Sequence, residues 1–297
     1  MKNIFILDFF ETIEYYRRHF VNPEIYLKKV YKHRMGCDLN LKNPTTFNEK
    51  LQWLKLYDHN PIYTKLVDKY EVKNYIAEKI GDQYVISTIG CWDKVEDIDF
   101  GNLPDQFVLK CTHDSGGLVI CKDKKNFDVK KAKKKLKKSL KRNFYYMGFE
   151  WPYRNVKPRI IAEHYMEDSK TKELRDYKFF CFNGVVKALF IATERQKEGE
   201  DVKFDFFDTD YNHLPFRQGH ENAPVLPEKP KCFEEMKTLA AILSKDLPHV
   251  RVDFYEVDGK VYFGEMTFFH HGGWTKFDPE EWDDIFGSWL NLPEKWV

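Results

Sequence analysis

The residues best suited to chemistry lie in the segment VRVDFYEVDGKVYFGEMT. Strand alternation places Arg251 and Asp253 on one face of its first half, and it places Glu265 together with Thr267 on its second half. The Asp-Gly pair between the halves predicts a tight hairpin turn, which brings Asp253 close to Glu265. Two neighbouring carboxylates need a cation, and oxygen ligands suit Mg²⁺, which also takes phosphate oxygens. An exposed polar hairpin face has the same pattern, so this segment alone leaves both interpretations open.

A second candidate lies in FVLKCTHDSGGLVI, where a strand that ends at Lys110 leads through a turn into another strand. Backbone N–H groups of such a turn can enclose a phosphate, since Gly116 and Gly117 carry no Cβ. Lys110 adds a positive charge for the same anion. A plain Gly-Gly hairpin has the same sequence. The segment lacks the pattern GxxxxGK[ST], and no helix follows it, which argues against a P-loop nucleotide site.

Helices precede these strands. Residues 4–60 are predicted to be helical, because apolar and aromatic residues recur there at three- and four-residue steps. Thr46 and Glu49 are spaced to form a capping box at the start of one helix. A further helix is predicted from about Pro61 to Ile80, ended by Gly81.

Strand patterns dominate the rest of the chain, in YVISTIGCW, RIIAEHYM and DYKFFCFNGVVKALFIAT, where FNG marks a hairpin. A helix is predicted over Phe233–Leu247. A very basic helix is predicted over residues 128–142, with Ala132, Leu136 and Leu140 as its buried stripe. Its lysines form either a solvated face or a surface that attracts an anionic substrate or lipid-linked glycan. The fold class is therefore α+β with antiparallel hairpins.

The composition excludes several classes of protein. Hydrophobic residues make up 42% of the 297 residues and charged residues 32%, an ordinary globular balance. The net charge of +1 gives no global attraction to nucleic acid. The six cysteines have no CxxC spacing, which disfavours a zinc site. No apolar run reaches the ~18 residues that span a bilayer, so we expect a cytoplasmic protein. Because the chain has an apolar start, contact with the inner face of the membrane is the alternative.

Five segments in the chain resemble, in their order, the ATP-grasp superfamily. They are PTTFNEKLQWLKLYD, LPDQFVLKCTHDSGG, KPRIIAEHY, DYKFFCFNG and RVDFYEVDGKVYFGEMTF. Within the superfamily the chain looks like the TupA-like branch, named for a teichuronopeptide-biosynthesis protein and often found with polysaccharide genes. The resemblance covers about residues 38–292. It implies two α+β lobes whose antiparallel sheets clasp ATP, a central lobe at about 83–162 and a C-terminal lobe at about 163–297. These form a catalytic region, residues 61–297, after a helical region at 1–60.

The resemblance also implies roles for single residues. Two lysines would contact the ATP phosphates, a loop would cover these phosphates, and the strand that leads into residue 165 would bind the adenine. Thr267 stands where many members have Asn as a third metal ligand, and Arg251 would stabilise the reacting oxyanion. His270–Gly273 replaces a glycine-rich substrate loop, so its two histidines are either substrate contacts or surface residues. The implied sets are, for the nucleotide, Lys69, Lys110, His113, Ser115, Gly116, Gly117, Glu163, His164, Tyr165, Asp176 and Lys178; for the metal, Asp253, Glu265 and Thr267; and for catalysis, Arg251 and Lys110.

Most ATP-grasp enzymes join a carboxylate to an amine through an acylphosphate, using ATP and Mg²⁺. The resemblance therefore implies a ligase that joins an amino acid or other amine to a uronic-acid-type sugar carboxylate in surface polysaccharide biosynthesis. Its partners would be a small-molecule or glycan carboxylate acceptor and an amine donor, without nucleic acid. Two alternatives stay open, an ATP-grasp kinase that phosphorylates a sugar hydroxyl and a glycosyltransferase or accessory protein of the same pathway.

Overall fold

The structure is a computed structural model that describes residues 15–194 and 201–296. Within these ranges no helix is both long enough and apolar enough to cross a bilayer. The α-helices are α1 (Pro23–Met35), α2 (Phe47–Tyr57), α3 (Ile62–Val67), α4 (Glu71–Ile80), α5 (Val129–Leu140), α6 (Tyr145–Gly148), α7 (Phe233–Leu243) and α8 (Glu281–Trp289). Short 3-10 helices lie at Arg18–Phe20, Asp82–Tyr84, Val95–Asp97, Lys124–Asn126, Trp151–Tyr153 and His270–Gly273.

The strands form two main antiparallel sheets and one small ribbon. The four-stranded sheet has the order β1-β4-β2-β3, the five-stranded sheet has the order β10-β9-β5-β6-β7, and β8 pairs with β11. The predicted α+β class with antiparallel hairpins is confirmed. The strands are β1 (Thr88–Trp92), β2 (Phe107–Cys111), β3 (Leu118–Cys121), β4 (Ile160–His164), β5 (Asp176–Phe182), β6 (Val185–Thr193), β7 (Lys203–Phe207), β8 (Arg217–Gln218), β9 (Val250–Val257), β10 (Lys260–Thr267) and β11 (Phe277–Asp278).

The four-stranded sheet carries the predicted basic helix on one face. Helix α5 packs against β2 and β3 through Leu136, which is fully buried. Leu109 and Ile160 from the sheet lie in the same apolar cluster. Ala132 is buried as predicted, so the lysines of α5 lie on the opposite, exposed face of an amphipathic helix.

The five-stranded sheet holds the larger core. Phe179, Phe254 and Val252 are fully buried on its strands, and α7 packs against them. Its β5–β6 hairpin turns at Asn183 and Gly184, both with positive φ, as the Asn-Gly pair predicts. The structure ends α7 at Leu243, four residues earlier than predicted.

The N-terminal region is only partly helical. Thr46 accepts the Glu49 backbone N–H at 3.2 Å, and the Glu49 carboxylate accepts the Thr46 N–H at 3.4 Å, so the predicted capping box is confirmed. Helix α1 ends at Gly36, whose φ of 82° suits glycine, and no helix follows before α2. The prediction for residues 4–14 falls outside the described residues. Phe47 of α2 belongs to the core of the five-stranded sheet.

The single helix predicted from Pro61 to Ile80 was wrong, because the chain breaks into α3 and α4 at Asp68. The Asp68 carboxylate accepts the backbone N–H groups of Tyr70 at 2.8 Å and Glu71 at 3.2 Å, and so caps α4. Its second oxygen accepts Arg159 at 2.8 Å. The break leaves Lys69 outside both helices, where its backbone can pair with another segment.

Candidate active site

The hairpin of β9 and β10 brings the predicted metal ligands together. Glu265 lies directly opposite Asp253, and the register shifts at Gly264, a β-bulge. Paired residues share a face of the sheet, so Phe263 lies with Phe254 on the core side, while Glu265 lies with Asp253 on the other. The extra residue of the bulge reverses the side-chain direction. Without it, Phe263 and Glu265 would face the same way.

Arg251 and Lys178 hold the Asp253 carboxylate from two directions. Arg251 Nε and Nη2 donate to the two carboxylate oxygens at 2.7 Å each, in a bidentate pair. Lys178 Nζ donates to Asp253 as well, and to Asp176 at 3.1 Å. Asp253 is fully buried, so its charge depends on these partners. The carboxylate is therefore bound by two cations on the protein itself.

The remaining N–H groups of Arg251 fix its orientation. Nη2 reaches Thr267 Oγ1 at 3.0 Å and Glu265 Oε1 at 3.4 Å, while Nη1 donates to His270 Nδ1 at 2.8 Å. His270 is buried, and its Nε2 lies 3.1 Å from Gln218 Oε1. Since Gln218 Oε1 accepts, the proton of His270 lies on Nε2. His270, predicted as a substrate contact or a surface residue, is instead part of the support of Arg251.

A second ion cluster lies at the four-stranded sheet. Glu163 of β4 is buried and accepts Lys110 at 2.6 Å and Lys73 at 2.5 Å. Burial alone would raise the pKa of Glu163, but the two lysines outweigh it and hold the pKa below its usual value. Lys73 also donates to the Ile86 carbonyl and the Thr88 hydroxyl, both at 2.7 Å. The Glu163 side chain is therefore bound to lysines, and its backbone lies between Val108 of β2 and Thr88 of β1.

Sequence reasoning missed Lys73. Lys73 lies in the first turn of α4, and its spacing from Lys69 gave no signal because Lys69 lies outside the helix. The backbone N–H of Lys69 donates to the carbonyl of Thr112, the residue after β2, at 3.1 Å. Its Nζ donates to the Asp114 carbonyl at 2.5 Å. Lys69 thus lies against the loop that was predicted to cover the phosphates.

The loop between β2 and β3 is held by the Asp114 side chain. One oxygen accepts the Gly117 N–H at 2.9 Å, and the other accepts the Ser139 hydroxyl from α5. A Cβ on Gly117 would lie 2.5 Å from the Cys111 and Ser139 side chains, whereas a Cβ on Gly116 would meet nothing within 4 Å. Only Gly117 is therefore required by the space around it.

His113 does not face the cleft, although the resemblance placed it in the phosphate-covering loop. It is buried, and its Nε2 lies 3.2 Å from the Ser139 carbonyl and 3.1 Å from the Arg142 carbonyl. These carbonyls lie at the C-terminal end of α5. The His113 side chain thus links the loop to the basic helix, and it is not placed to contact a phosphate.

The two ion clusters face each other across a cavity of about 240 Å³ between the sheets. Partial burial would raise the pKa of Glu265, but Lys178, Lys69 and Arg251 lower it to about 2. Lys110 acts in the same direction, so lysines of both sheets act on one carboxylate. The predicted residues that line this cavity are Lys69, Lys110, Ser115, Gly117, Glu163, Asp176, Lys178 and Glu265. His113, Gly116, Arg251, Asp253 and Thr267 lie outside its lining.

An apolar slot of about 210 Å³ continues from this cavity along β3 and β4. His164 and Tyr165 line it, as does Lys110, which it shares with the cavity. Leu118 and Ile120 are 39% and 42% exposed, and both face this slot. A flat heterocycle would cover these apolar side chains. The slot therefore fits a base, and the lysine-lined cavity next to it fits phosphates.

The donor set fits Mg²⁺ through Glu265 more directly than through Asp253. Mg²⁺ binds one or two carboxylates together with phosphate oxygens and waters. The Glu265 side chain is 41% exposed and lines the cavity, whereas Asp253 is covered by Arg251 and Lys178. Among the described residues no cluster of three or more His, Cys, Asp or Glu side chains is arranged to hold a metal ion by itself. A metal here needs oxygens from a bound phosphate.

A family model described as TupA-like ATP-grasp matches residues 49–291. The chain belongs to this family. Family membership confirms the ATP-grasp fold, and with it ATP and Mg²⁺ as the expected cofactors of a TupA-like ATP-grasp protein. A search of curated proteins found no match.

The chain is also similar to several solved structures. D-alanine–D-alanine ligase from Bacillus anthracis, complexed with ATP, is 17% identical over 69% of this chain and 54% of that chain, with a TM-score of 0.38. D-alanine–D-alanine ligase from Helicobacter pylori is 16% identical over 82% and 69%, with a TM-score of 0.41. D-cycloserine synthetase DcsG is 16% identical over 70% and 63%, with a TM-score of 0.39. The chain thus spans about half the length of the first of these proteins.

Proposed function

We propose that this protein is a Mg-ATP-dependent carboxylate–amine ligase. The observation that carries the proposal is the cavity between the two sheets, which sets Lys69, Lys73 and Lys110 on one side against Glu265 and Asp176 on the other. Lysines on one wall suit a triphosphate, and a carboxylate on the facing wall suits the metal that bridges phosphate oxygens.

The lysines prepare the cavity for negative charge. Bound Mg-ATP supplies a γ-phosphoryl group that activates a carboxylate as an acylphosphate. Lys110 and Lys73 share the Glu163 carboxylate, so both ammonium groups are held in place before any ligand arrives. Held charges cancel the repulsion between a carboxylate and a phosphate without reorganisation at the moment of reaction. Lys69 reaches the same anion from beside the loop.

Arg251 is proposed to stabilise the tetrahedral oxyanion that forms when the amine attacks. Contacts with Asp253, Thr267 and His270 hold its guanidinium in one position, so the substrate has to bind within reach of this fixed group. Loss of one such preorganised charge costs on the order of 10²–10³ in rate. Lys178 holds the other side of Asp253 and so fixes the same centre.

The acceptor is proposed to be a uronic-acid-type sugar carboxylate of a surface polysaccharide, joined to an amino acid or another amine. This part rests on the TupA-like family alone. The four lysines that line the cavity suit a small anionic substrate.

The test is incubation of the protein with uronic-acid sugars, ATP, Mg²⁺ and a pool of amines, followed by mass spectrometry and ADP measurement. The proposal expects an amide whose formation requires the amine, with one ADP released per amide. A product that gains phosphate without any amine would indicate a kinase and contradict the ligase. Stabilisation by nucleotide sugars, without stabilisation by Mg-ATP, would indicate a glycosyltransferase or accessory protein instead.

A further inference from the structure

A cationic groove lies outside the candidate active site. It runs along α5, has a volume of about 590 Å³, and is lined by six lysines, one arginine and two tyrosines, Tyr15 and Tyr16. None of these described lining residues is acidic. Helix α5 itself reads VKKAKKKLKKSL, without a single carboxylate. This concentration of charge has no part in the proposed ligase reaction.

The other wall of the groove is formed by Tyr15 and Tyr16, and the segment that begins with them contacts the chain after α5. The Tyr15 hydroxyl accepts the Asn143 backbone N–H at 2.7 Å. Arg18 donates to the Met147 carbonyl at 3.1 Å. These contacts hold the two tyrosines beside the lysines, so the groove has a defined shape with two walls.

Large apolar side chains are exposed on the segment that carries the two groove tyrosines and on the residues around it. Phe20 is 91% exposed, Tyr16 58% and Met147 41%. Ile25, at the start of α1, is 66% exposed. Exposed apolar groups of this size mark surfaces that meet another apolar phase. Cations beside aromatic and aliphatic side chains are typical of proteins that lie on anionic membranes.

We propose that this face, the groove along α5 together with Phe20 and its exposed apolar neighbours, docks on a bilayer that contains anionic phospholipid. The lysines bind headgroup phosphates, and each cation near such a surface raises affinity by about fivefold. Phe20 and Tyr16 enter the headgroup region. A soluble polyanion would satisfy the lysines but would leave Phe20 in water, which is why the bilayer is the better occupant.

The overall net charge of +1 does not oppose this docking. Charges are screened over about 8–10 Å at physiological ionic strength, so a membrane meets the local charge of the face and not the sum over the chain. The face also lies close to the ATP-grasp cavity. His113 and Asp114, in the loop beside the cavity, both contact Ser139 of α5. Docking would therefore hold the cavity near the bilayer surface.

The test is co-sedimentation of the full chain with phosphatidylcholine vesicles, with and without phosphatidylglycerol. The groove variant carries Lys130→Gln, Lys134→Gln and Lys141→Gln, three exposed lysines of the lining. At about fivefold per cation, it should bind phosphatidylglycerol vesicles about a hundredfold more weakly than the parent protein. Neutral vesicles should bind neither protein.

A matched control removes the same charge from exposed lysines outside the groove, through Lys125→Gln, Lys131→Gln and Lys135→Gln. It should weaken vesicle binding by no more than about fivefold. Equal losses in the two triple variants would show unspecific attraction to a basic helix and overturn the proposal. Absence of binding by the parent protein to phosphatidylglycerol vesicles at physiological salt would overturn it too.

The apolar part is tested by Phe20→Ser, with Val225→Ser as its control. Val225 is 81% exposed, so neither change touches the core. Phe20→Ser should weaken vesicle binding by about tenfold, and Val225→Ser should leave it unchanged. If Phe20→Ser has no effect and heparin displaces the protein from vesicles completely, the groove binds soluble polyanions and the membrane assignment fails. The Mg-ATP thermal shift of every variant should match that of the parent, which separates docking from the cavity.

Discussion

Replacing Glu163 by Gln tests the role that the geometry gives to this residue. The change keeps the size of the side chain but removes the charge that Lys73 and Lys110 share at 2.5 and 2.6 Å. The Glu163 side chain is 6% exposed, and those of its partners are 14% and 20% exposed. Two ammonium groups would then face each other with little water between them.

The expected cost follows from this burial. Removing one partner of a buried ion pair destabilises a protein by about 3–5 kcal/mol. Because both lysines keep some contact with water, the lower end applies, about 3 kcal/mol. At roughly 2 °C per kcal/mol for a large domain, the melting temperature should fall by about 6 °C. Differential scanning fluorimetry measures this directly. Glu96→Gln, which breaks an exposed Lys–Glu pair with Lys137, is the control and should leave the melting temperature unchanged.

The same variant separates two roles of Glu163 through its binding of Mg-ATP. If the carboxylate only orders the lysines, phosphates can take its place, so Mg-ATP should bind Glu163→Gln at least as tightly as the parent and restore most of the lost stability. Isothermal titration calorimetry gives the affinity. A variant of unchanged stability that has lost Mg-ATP affinity would refute the reasoning, since it would mean that the Glu163 side chain reads the base.

Three further predictions concern the loop, the core and the catalytic arginine. Gly117→Ala should lower the free energy of unfolding by about 1–3 kcal/mol and weaken Mg-ATP binding, because the added Cβ has no space. The control, Gly116→Ala, should keep the stability of the parent protein. Equal losses of stability in the two variants would contradict the loop geometry. Burial lowers the pKa of His249 to about 3, so below about pH 6.5 the unfolded chain takes up a proton that the folded chain refuses. The free energy of unfolding should therefore fall by about 2 kcal/mol from pH 6.5 to pH 5 through this group. Urea titrations at several pH values should show that His249→Phe lacks this part of the pH dependence and that the control, His33→Phe, keeps it. Thr267→Val removes one acceptor of Arg251, a hydrogen bond worth about 1 kcal/mol, and should lower kcat about fivefold with KM for ATP unchanged. A raised KM for ATP with kcat unchanged would place Thr267 at the nucleotide instead.

Local signals in the sequence predicted local structure well. The capping box at Thr46 and the turn at Asn183 each depend on a few neighbouring residues, and both are present. These two features need no knowledge of the rest of the chain. The Asp-Gly turn likewise predicted that Asp253 lies near Glu265, but their direct pairing depends on the bulge at Gly264, which the turn does not determine.

Features that depend on distant partners were not predictable in this way. The break at Asp68 depends on Arg159, a residue of another segment that takes one carboxylate oxygen while the other caps α4. Lys73 became a member of the site only because β4 places Glu163 beside it. The burial of His113 depends on α5, which brings carbonyl groups to its ring. In each case tertiary contacts decide between uses that the side chain alone leaves open.

Activation of a carboxylate by ATP for attack by an amine leaves a trace in the released phosphate, which takes an oxygen atom from the carboxylate. A uronic-acid acceptor labelled with heavy oxygen in its carboxylate is incubated with Mg-ATP, amine and protein, and the released phosphate is analysed by mass spectrometry. We expect the phosphate to carry one labelled oxygen for each amide formed, because phosphate leaves the acylphosphate with an oxygen of the original carboxylate. Amide formation with unlabelled phosphate, or labelled acceptor recovered as a phosphate ester without any amide, would contradict this expectation.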